Sequence, residues 1–291
     1  MKVLVFGASG MIGSAMVSVL SANNNLDVFG TLRSGSARRF FPPHVARKLV
    51  ADVDVEKQDS LVRVFSQIRP DVVINCVGLT KHHKEASDPL LAIPINALLP
   101  HRMAELCKAG GARLIHVSTD CVFSGTGSRY VETDPADAND IYGKSKFLGE
   151  VDYPHALTLR TSTIGHELQS AYGLLEWFLS QQEQCKGFGR AIFSGLPNTV
   201  FAQVVGDVVL SRPELSGLYH VGAEPINKYD LLRLIAGVYG KSIDIVRDDG
   251  FVLDRSLDSS RFQQATGYLA PAWPALIENM HTFFTSQNIH V

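Results

Sequence analysis

Short, almost wholly apolar runs alternate along the first half of the chain with longer stretches whose apolar residues recur every three or four positions. Residues 2–6, 27–32, 48–53, 71–77 and 113–117 are the short runs, and their composition predicts strands covered on both faces. Helices are predicted after Gly13 as far as Leu20, and over 56–68, 95–109 and 141–150, the second of them closed by Arg69-Pro70. Strands that alternate with helices build a doubly wound α/β fold, a parallel sheet with helices on both faces. Beyond Gly165 the pattern thins to an amphipathic helix over 174–182 around Trp177, a strand and turn over 192–197, a helix over 204–210, a strand over 218–221 and a helix over 228–239. Trp177, Trp273 and Phe201 are expected in the core.

Composition narrows the class. Of 291 residues, 45% are hydrophobic and 19% charged, which excludes a disordered chain. Lys and Arg number 27 against 29 Asp and Glu, so a net charge of -2 gives no bulk attraction to nucleic acid or an anionic membrane. Any anionic ligand must be held locally. The four cysteines, Cys76, Cys107, Cys121 and Cys185, show no CxxC spacing, which predicts neither a zinc site nor a disulfide framework and fits a reducing compartment. The apolar start reaches Gly7 without the long hydrophobic segment of a secretory signal, and no run approaches the roughly 18 apolar residues that span a bilayer. The expectation is a soluble, cytoplasmic protein.

In a doubly wound sheet, ligands sit at the carboxyl ends of the strands. That rim collects Gly7 to Gly13, Arg33, Asp52, Val77, Gly78 and the end of the fifth strand. The first strand runs directly into Gly7-Ala8-Ser9-Gly10-Met11-Ile12-Gly13 and then a helix. Glycines there allow a tight turn and close approach of a pyrophosphate, whose charge the helix N-terminus receives. Arg33 stands 20 residues after Gly13, where an acidic residue would bind the ribose hydroxyls of NAD. An arginine suits a 2'-phosphate, so NADPH is expected, with NADH as the alternative. Ser34, Arg38 and Arg39 follow it, and Arg38 and Arg39 read best as a solvated basic loop.

The fifth strand delivers Ser118, Thr119 and Asp120, and 23 residues after Thr119 comes Tyr142, with Lys146 four further on. On a helix those two side chains share a face. A lysine cation near a phenol lowers its pKa from about 10 and makes it a usable general acid or base. Asn96 near the start of its helix reads as a cap. Lys81, His82 and His83 read as a polar loop, since no cysteine or acidic partner stands at metal-ligand spacing.

These stretches together resemble the extended short-chain dehydrogenase/reductases, in the dTDP-4-dehydrorhamnose reductase-like branch. The carriers are the Gly7 to Gly13 loop, Ser118-Thr119-Asp120-Cys121-Val122-Phe123-Ser124-Gly125 and Tyr142-Gly143-Lys144-Ser145-Lys146-Phe147-Leu148-Gly149-Glu150. Leu159-Arg160-Thr161-Ser162 and Leu257-Asp258-Ser259-Ser260-Arg261 are weaker matches. The resemblance implies a Rossmann domain over 1–164, completed by parts of 198–225, with 165–197 and 226–291 in a small substrate-binding lobe. It implies a catalytic set of Thr119, Tyr142 and Lys146. Cofactor contacts are expected from Gly7, Ser9, Gly10, Met11, Ile12, Gly13, Arg33, Asp52, Val53, Cys76, Val77, Gly78, Asn96, Ser118 and Thr161 as well as from Tyr142 and Lys146. Thr80, Asp120 and Arg255 are expected toward substrate, and no metal is.

The implied activity is NADPH-dependent reduction of a keto sugar carried on a nucleoside diphosphate, with Tyr142 as proton donor. Two alternatives stay open, an NAD(P)-dependent nucleotide-sugar epimerase and a non-catalytic NADP-binding regulatory subunit. The dehydratases of this family carry an acidic pair after the hydroxyl, whereas here Asp120 is followed by Cys121, which disfavours elimination of water. The expected partner is the nucleotide sugar, not nucleic acid or membrane, and a homodimer is an open arrangement.

Overall fold

The computed structural model describes residues 1–80 and 84–286. Its first half is β1 (Lys2–Phe6), α1 (Met11–Ser21), β2 (Asp27–Thr31), the single turn α2 (Pro43–Ala46), β3 (Leu49–Val50), α3 (Gln58–Ile68) and β4 (Val72–Asn75), followed by α4 (Pro89–Ala92), α5 (Leu99–Gly110), β5 (Arg113–Thr119), α6 (Ile141–Leu148) and β6 (Ala156–Thr161). The second half is β7 (Thr163–Ile164), α7 (Leu174–Ser180), β8 (Gln184–Phe193), β9 (Leu196–Pro197), α8 (Asn198–Gln203), β10 (Gly217–His220), β11 (Ile226–Asn227), α9 (Lys228–Val238), β12 (Asp244–Asp254), α10 (Ser260–Thr266) and α11 (Trp273–Ser286).

Seven strands form one sheet in the order β10-β6-β5-β4-β1-β2-β3. Every neighbouring pair is parallel. The strand order reverses between β1 and β4, which is where such sheets open a crevice for a dinucleotide. Side chains of β1 alternate between the two faces. Val3 and Val5 enter one core with Met16 and Leu20 of α1, Phe201 of α8, Ile235 of α9 and Ile277 of α11. Leu4 and Phe6 enter the other with Leu61 and Val64 of α3 and Met103 of α5. The predicted doubly wound α/β architecture is therefore the observed one. A second sheet, β11-β8-β12, and the pair β7-β9 lie outside it in sequence order after β6.

Several boundaries differ from the expected ones. The helix predicted over 95–109 begins at α4, and a π-helical stretch, Ile93–Leu98, joins α4 to α5. Asn96 is consequently inside a helix and caps nothing. The run predicted as a strand over 48–53 pairs only at Leu49 and Val50, since the backbone turns left-handed at Asp52 with φ 58°. The helix predicted over 204–210 is a π-helical continuation of α8. Trp177 lies on the outer face of α7 at 37% exposure, against the expectation of a core residue, whereas Trp273 and Phe201 are buried as expected. The polar loop read at Lys81, His82 and His83 lies outside the described residues. Among those described, no helix is long and apolar enough to cross a membrane.

Candidate active site

At the end of β1 the chain turns through Gly7, whose φ of +83° favours glycine. A Cβ on Gly13 would overlap the Gly7 carbonyl, so the third glycine is what lets α1 start against the turn. Gly10 is the N-cap of α1 and offers no side-chain acceptor, leaving the positive end of the helix, from Met11 and Ile12 onward, uncapped by protein side chains. Ser9 sits part-buried in the same turn. This is an anion cradle with the chemistry a pyrophosphate needs.

Arg33 emerges exposed after β2 and makes no ion pair among the described residues. Its neighbours are committed elsewhere: Arg38 donates to the Leu49 carbonyl at 2.7 Å and Arg39 stacks over Phe40 at 4.8 Å. Arg38 is exposed, as expected of a solvated basic loop, with one nitrogen tied to the backbone, and Arg33 is the guanidinium left for a ligand. Ser34 caps the short turn Gly35–Phe40 by accepting from the Ser36 amide. Asp52 is exposed and its carbonyl accepts from Arg63, while Val53 is buried with its amide on the Leu32 carbonyl. Both follow β3 and stand beside the Arg33 loop, Val53 through its bond to Leu32.

The chemistry gathers where α6 packs on β5 and on the π-helical stretch Ile93–Leu98. Asp140 caps α6 by accepting from the Gly143 amide at 2.7 Å. A Cβ at Gly143 would overlap the Cys121 carbonyl, and that close approach seats Tyr142 against Thr119. The Thr119 hydroxyl donates to Asp120 Oδ1 at 3.1 Å, accepts from the Cys121 amide, and exchanges a hydrogen bond with Tyr142. Thr161, across the β5–β6 register from Thr119, is buried. Lys146 is 4% exposed, and its Nζ donates to the Val117 carbonyl at 2.8 Å and lies 3.5 Å from His116 Nε2.

The π-helical stretch explains Asn96. Its Oδ1 accepts from the Leu79 amide at 2.9 Å, and its Nδ2 donates to the Leu79 carbonyl and to Ser145 on α6. The residue ties α6 to the loop after β4, which carries Cys76, Val77, Gly78 and the exposed Thr80. Ser118 donates to Glu150 Oε1 at 2.7 Å, so its hydroxyl is spent inside the protein. Glu150 takes Arg160 in two 2.7 Å bonds, and Arg160 also donates to His220 and lies over Phe123.

Electrostatics refine the roles. Burial pushes the Tyr142 phenol well above its ordinary value, Cys121 and Asp120 push it further, and the Thr119 hydrogen bond pulls the other way. The expectation that Lys146 lowers this phenol is therefore corrected: the ammonium is drawn to the Val117 carbonyl on β5. Lys146 itself is held down to about 8, chiefly by burial, with Glu150 and Cys76 opposing. Burial raises the Cys76 thiol to about 12. Arg255, expected toward substrate, reaches Cys121 Sγ and the Ser124 carbonyl at 3.4 Å, so it stands at the mouth of the Thr119–Tyr142 corner and makes no surface salt bridge among the described residues. Its Nε is buried without a protein partner.

The sequence matches the RmlD substrate binding domain family over residues 1–247. The chain belongs to that family. This bears out the resemblance read from its motifs. A dTDP-4-dehydrorhamnose reductase of Salmonella typhimurium is 26% identical, covering 99% of this chain and 100% of the relative. The methionine adenosyltransferase 2 subunit beta of Danio rerio is 28% identical over 82% of this chain and 74% of its own. A dTDP-4-dehydrorhamnose reductase from Bacillus anthracis, solved in complex with NADP, superposes with a TM-score of 0.79 at 19% identity, covering 97% and 99% of the two chains.

The structure brings to this corner residues that the sequence did not single out for it. His116 lay inside an apolar strand and Asn75 inside another, where a polar residue is invisible until the strands are aligned. Glu150 and Arg160 are ten residues apart in sequence and were read only as parts of motifs. Their pairing follows from Glu150, just past α6, meeting Arg160 on β6.

Proposed function

We propose that this chain is an NADPH-dependent reductase of a keto sugar carried on a nucleoside diphosphate, acting on a substrate of the dTDP-4-dehydrorhamnose kind. The observation that carries the reading is the convergence of Thr119, Tyr142 and Lys146 at the carboxyl ends of the central strands, on the rim that also holds the Gly7 turn and Arg33. The residues present fit the cofactor: an uncapped helix N-terminus for the pyrophosphate, an unpaired guanidinium for a 2'-phosphate, and buried Thr161 flanking the central strand. Bound NADPH supplies the hydride.

The chain's own residues do the rest. Tyr142 donates its phenolic proton to the oxygen of the carbonyl being reduced. The raised phenol supports this role, because reduction needs the protonated form at neutral pH. Thr119 accepts from the phenol and, by turning its one hydroxyl proton from Asp120 to the substrate oxygen, fixes the line of proton transfer. Lys146, one helical turn beyond Tyr142, holds its ammonium on the Val117 carbonyl at the floor of the site. Arg255, with an uncommitted Nε beside Cys121, faces the substrate. Cys121 in place of a second carboxylate leaves no extra acid–base pair for elimination.

The relative described as an adenosyltransferase subunit keeps a regulatory reading in view, but the bonded Thr119 and Tyr142, with Lys146 one helical turn on, favour turnover. Exposed Leu90, Ile93, Leu98, Phe147 and Leu148 on the face of α4, the π-helical stretch and α6 support a homodimer. The test is Tyr142→Phe assayed with NADPH and a panel of nucleoside-diphosphate keto sugars. Turnover should fall by about 10² to 10⁴-fold while NADPH binding, followed by fluorescence, holds. Retention of most activity, or no turnover of any keto sugar by the unaltered protein, overturns the reading.

A further inference from the structure

Behind Lys146 runs a buried chain of polar groups that the mechanism above does not use. The Val77 amide donates to Asn75 Oδ1 at 3.0 Å, Asn75 Nδ2 lies 3.1 Å from His116 Nδ1, and His116 Nε2 lies 3.5 Å from Lys146 Nζ. Asn75 and His116 are 0% exposed and stand opposite each other in the β4–β5 register. The direction of every bond can be fixed from one end. A backbone N–H only donates, so the Asn75 atom facing Val77 is its oxygen, and the atom facing His116 is its NH₂. A donor facing Nδ1 requires a lone pair there. A neutral imidazole with a lone pair on Nδ1 carries its proton on Nε2, which points at Lys146.

We propose that Asn75 and His116 form a tautomer lock behind Lys146, in which His116 is held neutral and turns an N–H, not an acceptor, toward the Lys146 amine. His116 is then a positioning residue for the reaction. It denies the ammonium a hydrogen-bond acceptor in a buried seat where, among the described residues, the Val117 carbonyl is the bonded acceptor, so the cation is kept easily deprotonated. Burial, then Lys146, then His101 hold His116 well below its ordinary value, in agreement with a neutral ring. The groups that face Lys146 are His116 from β5, Cys76 from the loop after β4, and Glu150 beyond the end of α6. His101 of α5 acts on His116 but is itself bonded to Tyr153 and the Leu148 carbonyl. The consequence for the reaction is proton return: an amine poised near neutrality can exchange a proton with solvent between turnovers and so restore the Tyr142 phenol.

The inference rests on the reading of Lys146 as a working group, but its first test does not need turnover. Long-range ¹H–¹⁵N spectra of the histidines, taken on the full chain without ligand and assigned with His116→Gln, report tautomer and charge directly. The expected result is a neutral Nε2–H ring from about pH 5 to 9. A Nδ1–H tautomer or a protonated ring in that range overturns the proposal whatever the enzyme's substrate is. The second test is Asn75→Ala, which frees Nδ1 to take the proton and lets Nε2 accept from Lys146. The ring should change to Nδ1–H, and the alkaline limb of the kcat profile should move up by about one pH unit, a tenfold change in the Lys146 acid constant. A variant that folds, loses rate and keeps the alkaline limb in place shows Asn75 to be structural and overturns the lock. The same limb in a protein whose tautomer has changed refutes the step from tautomer to amine.

Discussion

Glu150→Gln is the substitution whose cost the structure defines most closely. Glu150 and Arg160 are 9% and 2% exposed in their side chains, joined by two charge-assisted bonds of 2.7 Å, with Ser118 donating to the same carboxylate. Gln keeps the shape but carries one acceptor oxygen and an NH₂ that must face either the Arg160 guanidinium or the Ser118 hydroxyl. Arg160 then stays buried as a cation whose remaining neutralisation is a dipole. Removing one partner of a buried pair costs about 3 to 5 kcal/mol, against a total folding stability of about 5 to 15 kcal/mol. The loss should appear in urea denaturation followed by circular dichroism as a lower midpoint at unchanged slope. Pairing it with Arg160→Met, which removes the stranded charge, should recover more than half of the loss. A single-variant cost under about 1 kcal/mol, or a double variant worse than the sum of its parts, refutes the claim that this pair fastens α6 to β6. Ser118 and Thr119 lie at the same strand end, so the destabilised variant should also lose turnover at temperatures where it remains folded.

Two further outcomes are expected. His220 is buried, accepts from Arg160 through Nε2, donates from Nδ1 to the Tyr130 carbonyl, and is depressed to about 4 chiefly by burial and then by Arg160. The unfolded chain protonates this histidine near pH 6.5 while the folded chain resists, so stability is full above that value and falls by about 3 kcal/mol as pH drops toward 4. His220→Gln should flatten that slope in denaturant melts taken across the window, and an unchanged slope contradicts the assignment. Arg33→Asp should cost NADPH about 10 to 100-fold in affinity, on the scale of one charged hydrogen-bonded contact, and reduce the preference over NADH. Fluorescence titration with both cofactors measures it, and an unaltered ratio removes Arg33 from the phosphate site.

Much of this protein was legible before any coordinates. Continuous apolar runs at the observed spacing have one economical arrangement, a parallel sheet covered on both sides. The rim then follows from the rule that ligands meet strand ends. That logic located Gly7, Arg33, Thr119, Tyr142 and Lys146 because each stands beside a local signal: a glycine turn, a missing carboxylate, a hydroxyl after a strand, an i,i+4 pair. It missed β12, whose charged Arg247, Asp248 and Asp249 and the glycine after them break the apolar pattern. It also shortened the helix around Asn96, because a π-helical stretch has no signature in a 3.6-residue period.

Only the tertiary structure decided the polar interior. Which way Lys146 leans, whether it lowers the Tyr142 phenol, which guanidinium after β2 is free, and which acid Arg160 meets all depend on strands and helices distant in the chain arriving in register. Periodicity reports which face of an element is buried. It carries no record of the partner that buries it, and hydrogen-bond direction and pKa are properties of that partner. The sequence by itself determined the fold and the rim; packing of α6 against β5, with the polar partners that β4 and β6 bring alongside, determined the charges and protons with which the rim works.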